Sequence, residues 1–592
     1  MNKKIRKVFA AFASALTLSA LLAQASPAVF AQEEEKPQAP EFESTVTHEG
    51  EKIEGGTLNY ALVSDTAFAG VLNNMLYSGQ PDSEVINFFN PGLFGYDENF
   101  QYDDEGFGQV ELDQENKQVT ITIPEGEKWD DGEDITIDDV IFPYYVIGHP
   151  DYTGIRYGVD FENVEGMEEY HNGEADEISG LERVDDYTLK VTYKEFPNSM
   201  IQAGGGISHY IEPEHVLSEI PVAELEDSEA VRTKPVGFGP FKVESITPGE
   251  SVTFAVNEYY YKDRPAVDKV QLKVVNPTSI VAELKAGNID IAQLASSEYE
   301  TFADASNFSV IGRITNSYSY IGFKMGKWDA EKEEVVYDPE LATSNKALRQ
   351  AMAKALDLPA VSENFYYGIQ QQAQSHITPN FTEYISDEVK GYEYDPEGAK
   401  KLLADAGFED KDGDGFVEDP KGQPLTLNYA TMSGNSTNES IAQYYIQAWN
   451  AIGLNVQLLD GQLIEFNSFY ERIQNDDPEV HVYGAAWGMG GDPNPTNLYG
   501  PEAEFNFPRW QTEEHNEILD RLNSDDSFDD EFRAQAYADW QKMMMDELPT
   551  YPTFWQYDLF AVNKRVSTYD VAIGNDLQWS DIYLTSEQPV KE

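Results

Sequence analysis

Apolar and polar positions alternate through the first half of the chain. In "GGTLNYALVSD" Leu58, Tyr60 and Leu62 fall on one side, the period of two that a strand requires. "KQVTITIP" (117–124), "DYTLKVTYKEF" (186–196), "ESVTFAVNEYY" (250–260) and "VDKVQLKVV" (267–275) repeat the pattern and are rich in β-branched residues. The rhythm then changes. "NPTSIVAELKAGNIDIAQL" predicts a helix capped at Thr278 or Ser279 and stopped at Gly287, with a strand resuming at Ile289 and Ile291. "SNKALRQAMAKALD" places Leu348, Ala351, Met352 and Ala355 on one helical face. "DPEGAKKLLADAGF" has Asp395 at the cap, Pro396 at the first helical position and Gly407 at the stop. The stretch 425–460 reads strand, polar cap, helix (Ile441, Tyr445, Ala448, Ile452), glycine, strand, which is a βαβ unit. The first 280 residues are therefore expected to be mostly β and the remainder α/β, without internal repeats.

At 592 residues the chain exceeds what one hydrophobic core can serve, so two or more domains are expected. "MNKKIRK" sets four positive charges before the short apolar run "VFAAFASALTLSALLA", and Val29 and Ala31 supply small residues after it. This predicts an export signal over 1–31 cleaved after Ala31, with an uncleaved anchor as the alternative. Residues 32–54 are Glu- and Pro-rich and read as a flexible acidic tether. The net charge of −66 argues against nucleic acid, anionic lipid and anionic ligands as partners. Cysteine is absent, which removes disulfides, thiol chemistry and attachment through a lipidated N-terminal cysteine.

Motifs for zinc hydrolysis, nucleophile elbows and phosphate loops are missing, and "GFKMGK" is one residue short of a Walker spacing. Two local patterns carry candidate chemistry. "DKDGDGFVED" sets Asp410, Asp412 and Asp414 at alternating positions before Gly415, as in the first half of a calcium loop, with Glu418 or Asp419 in place of the missing twelfth-position Glu. The competing reading is an Asx–Gly turn in an acid-rich chain. "AAWGMGGDPNPTNLYG" (485–500) gathers Gly488, Gly490 and Gly491 around Asp492. It reads either as a surface turn or as a place where a ligand approaches the backbone and the acid receives a positive group.

The stretch 234–275 resembles a known family. Pro235, Gly237, Gly239, Pro240, Phe241, Asn257, Tyr260, Pro265, Asp268 and Val270 match the pattern of family 5 of the ABC-transporter solute-binding proteins, with Phe238 and Tyr261 departing from it. Gly126, Lys128, Trp129, Asp131, Gly132, Thr136, Asp139 and Val140 match a second segment, and the resemblance runs in order over about residues 55–580. "GMEEYHNGEADEISGLE" (166–182) is similar to the oligopeptide-binding subtype of Gram-positive bacteria. The resemblance implies an α/β, two-lobed clamp of the periplasmic-binding-protein type, with a hinge and an extra β-rich subdomain. Lobe I is expected from 55–75, 200–317 and 554–592, the inserted subdomain from 76–199, and lobe II from 318–553. It implies capture of oligopeptides for a membrane permease and its ATPases, by a monomer that is not an enzyme and requires no cofactor; a structural calcium is expected only from the acidic loop described above. An oligosaccharide or metal-complex ligand, and more distantly a secreted hydrolase, are the alternatives. By the same resemblance, peptide is expected to add as a strand beside residues 63–68, with Phe68 near it, and beside Ala486–Gly488. Trp487 lines the cleft and Asp492 receives the α-ammonium.

Overall fold

The computed structural model describes residues 40–434 and 437–592. The expected export signal and residues 32–39 of the expected tether lie outside the described residues. From Thr45 the tether reading is corrected. Thr45–Thr47 forms a strand paired antiparallel with Thr568–Asp570, and Phe42 packs edge-on to Tyr299 at 6.0 Å between ring centroids. Alternating Thr-Val-Thr offers backbone groups and one apolar side chain, enough to close an edge despite the acidic surroundings.

One long twisted sheet organises the molecule. Its strands lie in the order 455–458, 426–431, 482–488, 308–323, 550–563, 291–294, 57–63, 269–275, 251–256 and 241–247. Two of them are exceptional in length: Phe308–Phe323 has 16 residues and Thr550–Asn563 has 14. They pair antiparallel in two blocks. Phe308–Ile314 faces Tyr557–Asn563, Tyr318–Gly322 faces Thr550–Trp555, and the register shifts between Ile314 and Tyr318. The ladder thus breaks midway, and the two halves of the sheet meet there.

Lobe I lies on one side of the break. Thr57–Val63 pairs parallel with Lys269–Val275 and, at Tyr60 and Ala61, with Ile291 and Ala292. Leu58, Leu62, Phe241, Val252, Phe254 and Leu272 form its core. Lobe II lies on the other. Thr426–Thr431 and Asn455–Leu458 pair parallel and are joined by the helix Asn438–Ala451, the βαβ unit legible in the sequence. Leu348, Ala351 and Met352 of the helix Lys346–Lys354 share its core with Trp449. The Asp395 side chain caps the next helix by accepting from Gly398 N at 2.8 Å, with Pro396 at the first turn.

The third body is a four-stranded antiparallel sheet, 109–113, 118–122, 188–192 and 181–185, covered by the helix Asp138–Ile147. Its cluster reaches further along the chain than expected. Met200, Ile207, Ile211, Leu217, Leu225, Val231 and Phe238, which sequence reasoning placed in lobe I, pack with Val119, Ile121 and Trp129. The segment between them contains only short helices, such as Glu214–Leu217 and Glu229–Arg232, too small to bury an apolar face alone.

The inserted body also packs onto lobe II. Phe100 packs on Phe381 with centroids 5.3 Å apart, and Asn198 Nδ2 donates to Ser527 O at 2.9 Å.

Candidate functional site

Where the sheet changes lobes, two cavities open side by side. One, of about 400 Å³, is bordered by Val63, Gln293, Ser296 and Asp558 of lobe I. The other, of about 290 Å³, is bordered by Tyr429, Thr431, Tyr445 and Ala486 of lobe II. Ser319, Tyr366, Phe554 and Gln556 line both and make them one cleft. The position follows from the fold: strands of both lobes end at the register break, and space is left between the two cores. Tyr366 and Phe554 meet edge to face at 5.7 Å. Asp558 is the one charged side chain among the described residues lining these two cavities. It accepts from Gln293 Nε2 at 2.9 Å, and burial raises its pKa against the opposing effect of Arg313.

The strand Val482–Gly488 borders the cleft with an unused edge. On one side it pairs with Ser317–Phe323 along its whole length. On the other, Thr426–Thr431 reaches only Val482, Tyr483 and Gly484. Beyond Gly484 that edge has no strand partner among the described residues, so its backbone N–H and C=O groups are open to an incoming extended chain.

Asp492 lies at the side where the inserted body meets lobe II. Its Oδ1 accepts from Asn494 N at 3.1 Å and from the Tyr537 hydroxyl at 3.3 Å. Burial pushes its pKa up to about 6, against the opposing effects of those two hydrogen bonds and of Arg533. Tyr537 in turn packs on Tyr384 at 4.5 Å. The glycines before it have unequal reasons. A Cβ on Gly491 would lie 2.1 Å from Ala203 O, whereas Gly490 has nothing within 4 Å. Gly491 is where the backbone of the inserted body touches lobe II.

The other expected residues divide. Ala486 lines the cleft. Gly488 ends the strand and pairs with Ser317. Trp487 is not among the residues lining the two cavities; it stacks on Phe507 at 5.2 Å and on Tyr320 at 6.3 Å. Phe68 is corrected. It is 3% exposed in the lobe I core beside Leu58, Leu62 and Leu72. The strand stops at Val63, and the N–H groups of Ala69, Gly70 and Val71 all donate to the Asp82 carboxylate, turning the loop and its aromatic ring inward. Val63 borders the cleft instead.

Asp410, Asp412 and Asp414 bring one carboxylate oxygen each within 4.8 Å of the others. Asp410 accepts from Gly413 N and Gly415 N, Asp412 from Asp414 N, and Asp414 from Phe416 N. Glu418 is not part of this group. It is buried and accepts from Lys411 N at 2.7 Å, so its expected place among the ligands is corrected. Three carboxylates fit a hard cation such as calcium in chemistry, with both oxygens of Asp410 also held by backbone N–H groups.

Sequence reasoning missed Tyr366, Phe554, Gln556 and Asp558. The only signal was Gln556 and Asp558 interrupting an otherwise apolar run, "YPTFWQYDLFAV".

A hinged pair of lobes with a cleft at the crossover strands defines a solute-binding clamp. The profile of the bacterial extracellular solute-binding proteins, family 5 (middle region), matches residues 108–507. The oligopeptide-binding protein OppA of Lactococcus lactis subsp. lactis is 31% identical over 503 residues, 84% of each chain. The oligopeptide-binding protein AppA of Bacillus subtilis is 29% identical over 385 residues, 64% of each chain. Among solved structures, lactococcal OppA complexed with an endogenous peptide in the closed conformation is similar at a TM-score of 0.81 and 30% identity. It covers 90% of this chain and 100% of that one. The chain belongs to family 5 of the bacterial extracellular solute-binding proteins.

Proposed function

We propose that this protein captures oligopeptides outside the cell and delivers them to the permease of an ABC importer. The observation that carries this reading is the cleft between the lobes. Its walls are almost uncharged, and one of them is a strand edge with free backbone groups. Such an edge bonds the main chain common to all peptides, so affinity does not depend on sequence. The named relatives, oligopeptide-binding proteins by description, support the same ligand class. Asp492 receives the ligand's amino terminus, and the loop at Asp410, Asp412 and Asp414 holds a structural calcium away from the cleft. The protein is exported with cleavage after Ala31 and acts as a monomer; among the described residues no helix is long and apolar enough to cross a membrane. Denaturing the purified protein and identifying released molecules by mass spectrometry tests the reading. A mixture of peptides of varied sequence is expected. Release of oligosaccharide or a metal complex, with no binding of a peptide library in calorimetry, would overturn it.

A further inference from the structure

The bulge that breaks the two long strands is not slack. Thr315, Asn316 and Ser317 separate Ile314 from Tyr318, whereas Gln556 alone separates Trp555 from Tyr557 on the partner strand. The ladder cannot satisfy the backbone groups that the extra residues set free, and side chains do so instead. Ser317 N donates to the Thr315 hydroxyl at 3.2 Å, and that hydroxyl donates to Gln556 O at 3.4 Å. Asn380 of lobe II donates through Nδ2 to Ile314 O at 3.0 Å and to Asn316 Oδ1 at 2.8 Å.

Asn316 ties the bulge to the glycine-rich stretch. Its C=O accepts from Met489 N at 2.8 Å, and its Nδ2 donates to Gly490 O at 3.1 Å. The pairing of 317–323 with 482–488 is thereby carried on past Gly488, first by a backbone bond and then by a side-chain amide standing in for a peptide group. Both amides have one orientation only. Gly490 O and Ile314 O can accept but not donate, so each faces an Nδ2, and Asn316 Oδ1 is left to receive Asn380. The anchor meets a need: a Cβ on Gly490 would find nothing within 4 Å, so no packing holds this residue. It also belongs to a ring of contacts. Phe381, next to Asn380, packs on Phe100; Phe100 O accepts from Ala203 N at 2.8 Å; and Ala203 O faces Gly491.

We propose that Asn316 is a positioning residue for peptide capture, held in turn by Asn380. It fixes Met489 and Gly490 from the paired side of the strand and so presets the open edge at Ala486–Gly488 on the other side. A glycine-rich edge left to itself must be ordered when an extended chain adds to it, and that ordering subtracts from affinity. An edge ordered beforehand avoids the loss. Neither Asn316 nor Asn380 lines the two cavities, so their effect falls on every peptide alike, without preference for sequence or end group. The inference rests on the peptide reading and adds to it a residue on the far side of the strand.

The test uses the full mature chain and two hexapeptides of unrelated sequence, each with a free and with an acetylated amino terminus. Calorimetry, ligand-free melting and hydrogen exchange over 484–492 by mass spectrometry are run on the parent, Asn316→Ala, Asn316→Asp, Asn380→Ala and the double alanine variant. Asn316→Ala is expected to weaken every probe by the same factor, about tenfold, the scale of one residue's backbone freedom. Exchange over 484–492 in the ligand-free protein should quicken, while melting shifts by only about a degree in a chain of this size. Asn316→Asp keeps the acceptor for Asn380 but turns an oxygen towards Gly490 O, so it should lose at least as much. Asn380→Ala acts through Asn316 and should lose less, and the double variant should be no worse than Asn316→Ala alone. If Asn316→Ala does not fold, Asn380→Ala decides by the same readings. Unchanged affinity, a loss confined to one sequence or to the free-amine forms, or melting that falls without quicker exchange over 484–492 would overturn the proposal and leave the peptide reading standing. If no probe binds the parent, the peptide reading fails and this inference with it.

Discussion

Replacing Gly491 by alanine isolates closure from stability. A Cβ at this position would sit 2.1 Å from Ala203 O, with Phe100 Cβ a further neighbour at 3.0 Å. Neither is a flexible chain end, so the backbones must separate by about an ångström to restore ordinary contact. Overpacking of this kind costs about 1–3 kcal/mol. The cost falls on one state only. Gly491 belongs to lobe II, and Ala203 is tied to the inserted body through its N–H to Phe100 O at 2.8 Å. When the clamp opens the two backbones part and the methyl is free. The closed state alone is penalised, so the open-to-closed equilibrium shifts by roughly 5- to 150-fold, and apparent affinity falls by the same factor. Calorimetry with a peptide pool recovered from the parent measures the loss. Melting of ligand-free protein should not change, while the ligand-induced rise in Tm should shrink. Small-angle scattering should show the parent contracting on ligand addition and the variant contracting less. Unchanged affinity, or a ligand-free melting point lowered as much as the affinity, would refute the reasoning.

Four further outcomes are expected. Asp492→Asn should weaken free-amine peptides by far more than an exposed pair is worth, since stranding one partner of a buried charge pair costs about 3–5 kcal/mol; N-acetylation should add little further loss in that variant, measured as a double cycle. Because burial between the inserted body and lobe II raises the Asp492 carboxyl to about 6, it loses its charge there as pH falls through that value. Affinity for free-amine peptides should therefore drop between pH 7 and 5 while that for acetylated peptides does not fall in calorimetry across the range. Arg565 and Asp290, paired at 2.6 Å and both buried, should make Arg565→Met about 3–5 kcal/mol less stable in urea, because Asp290 is left alone. Millimolar calcium should raise the melting point relative to EDTA by binding the native state, roughly 2.7 kcal/mol at a hundredfold excess over Kd; identical melting would leave Asp410, Asp412 and Asp414 as turn formers.

Legibility followed the periodicity of burial. The helix Asn438–Ala451 and the strand Gln118–Thr122 have one buried face each and announce themselves. The two long strands do not. Tyr318, Tyr320, Ile321 and Phe323 are all buried, because both faces of that half of the sheet are covered, while the half before Ile314 belongs to a different core. Neither alternation nor a turn marks the place where one strand leaves a lobe and enters the next, so the cleft was invisible although its residues were in view. Phe68 fails for a related reason. An aromatic after a strand can face the cleft or the core, and the choice is made by Asp82, fourteen residues downstream, which gathers three backbone N–H groups from the intervening loop. Trp487 shows the limit of a role carried over by resemblance. The resemblance implied that it lines the cleft, whereas Phe507, Tyr320 and Phe505 pack around its ring.

The glycine-rich stretch 488–492 couples two events that a receptor of this kind needs to couple. Gly491 admits the backbone of the inserted body, and the same approach buries the neighbouring Asp492. Desolvating a carboxylate is unfavourable unless it is neutralised by a proton or by a cation. Closure over an empty cleft therefore carries a penalty at neutral pH that closure over an ammonium group does not. Arg533 relieves part of that penalty, and in a chain with 106 acidic and 40 basic residues further relief is scarce. A larger residue at 491 would hold the lobes apart and leave Asp492 solvated, losing both the contact and the discrimination. A neutral residue at 492 would keep the contact and close over any ligand that filled the cleft. The short glycine at one position and the acid at the next thus act as a unit: the first allows the lobes to meet, and the second makes that meeting depend on what they enclose.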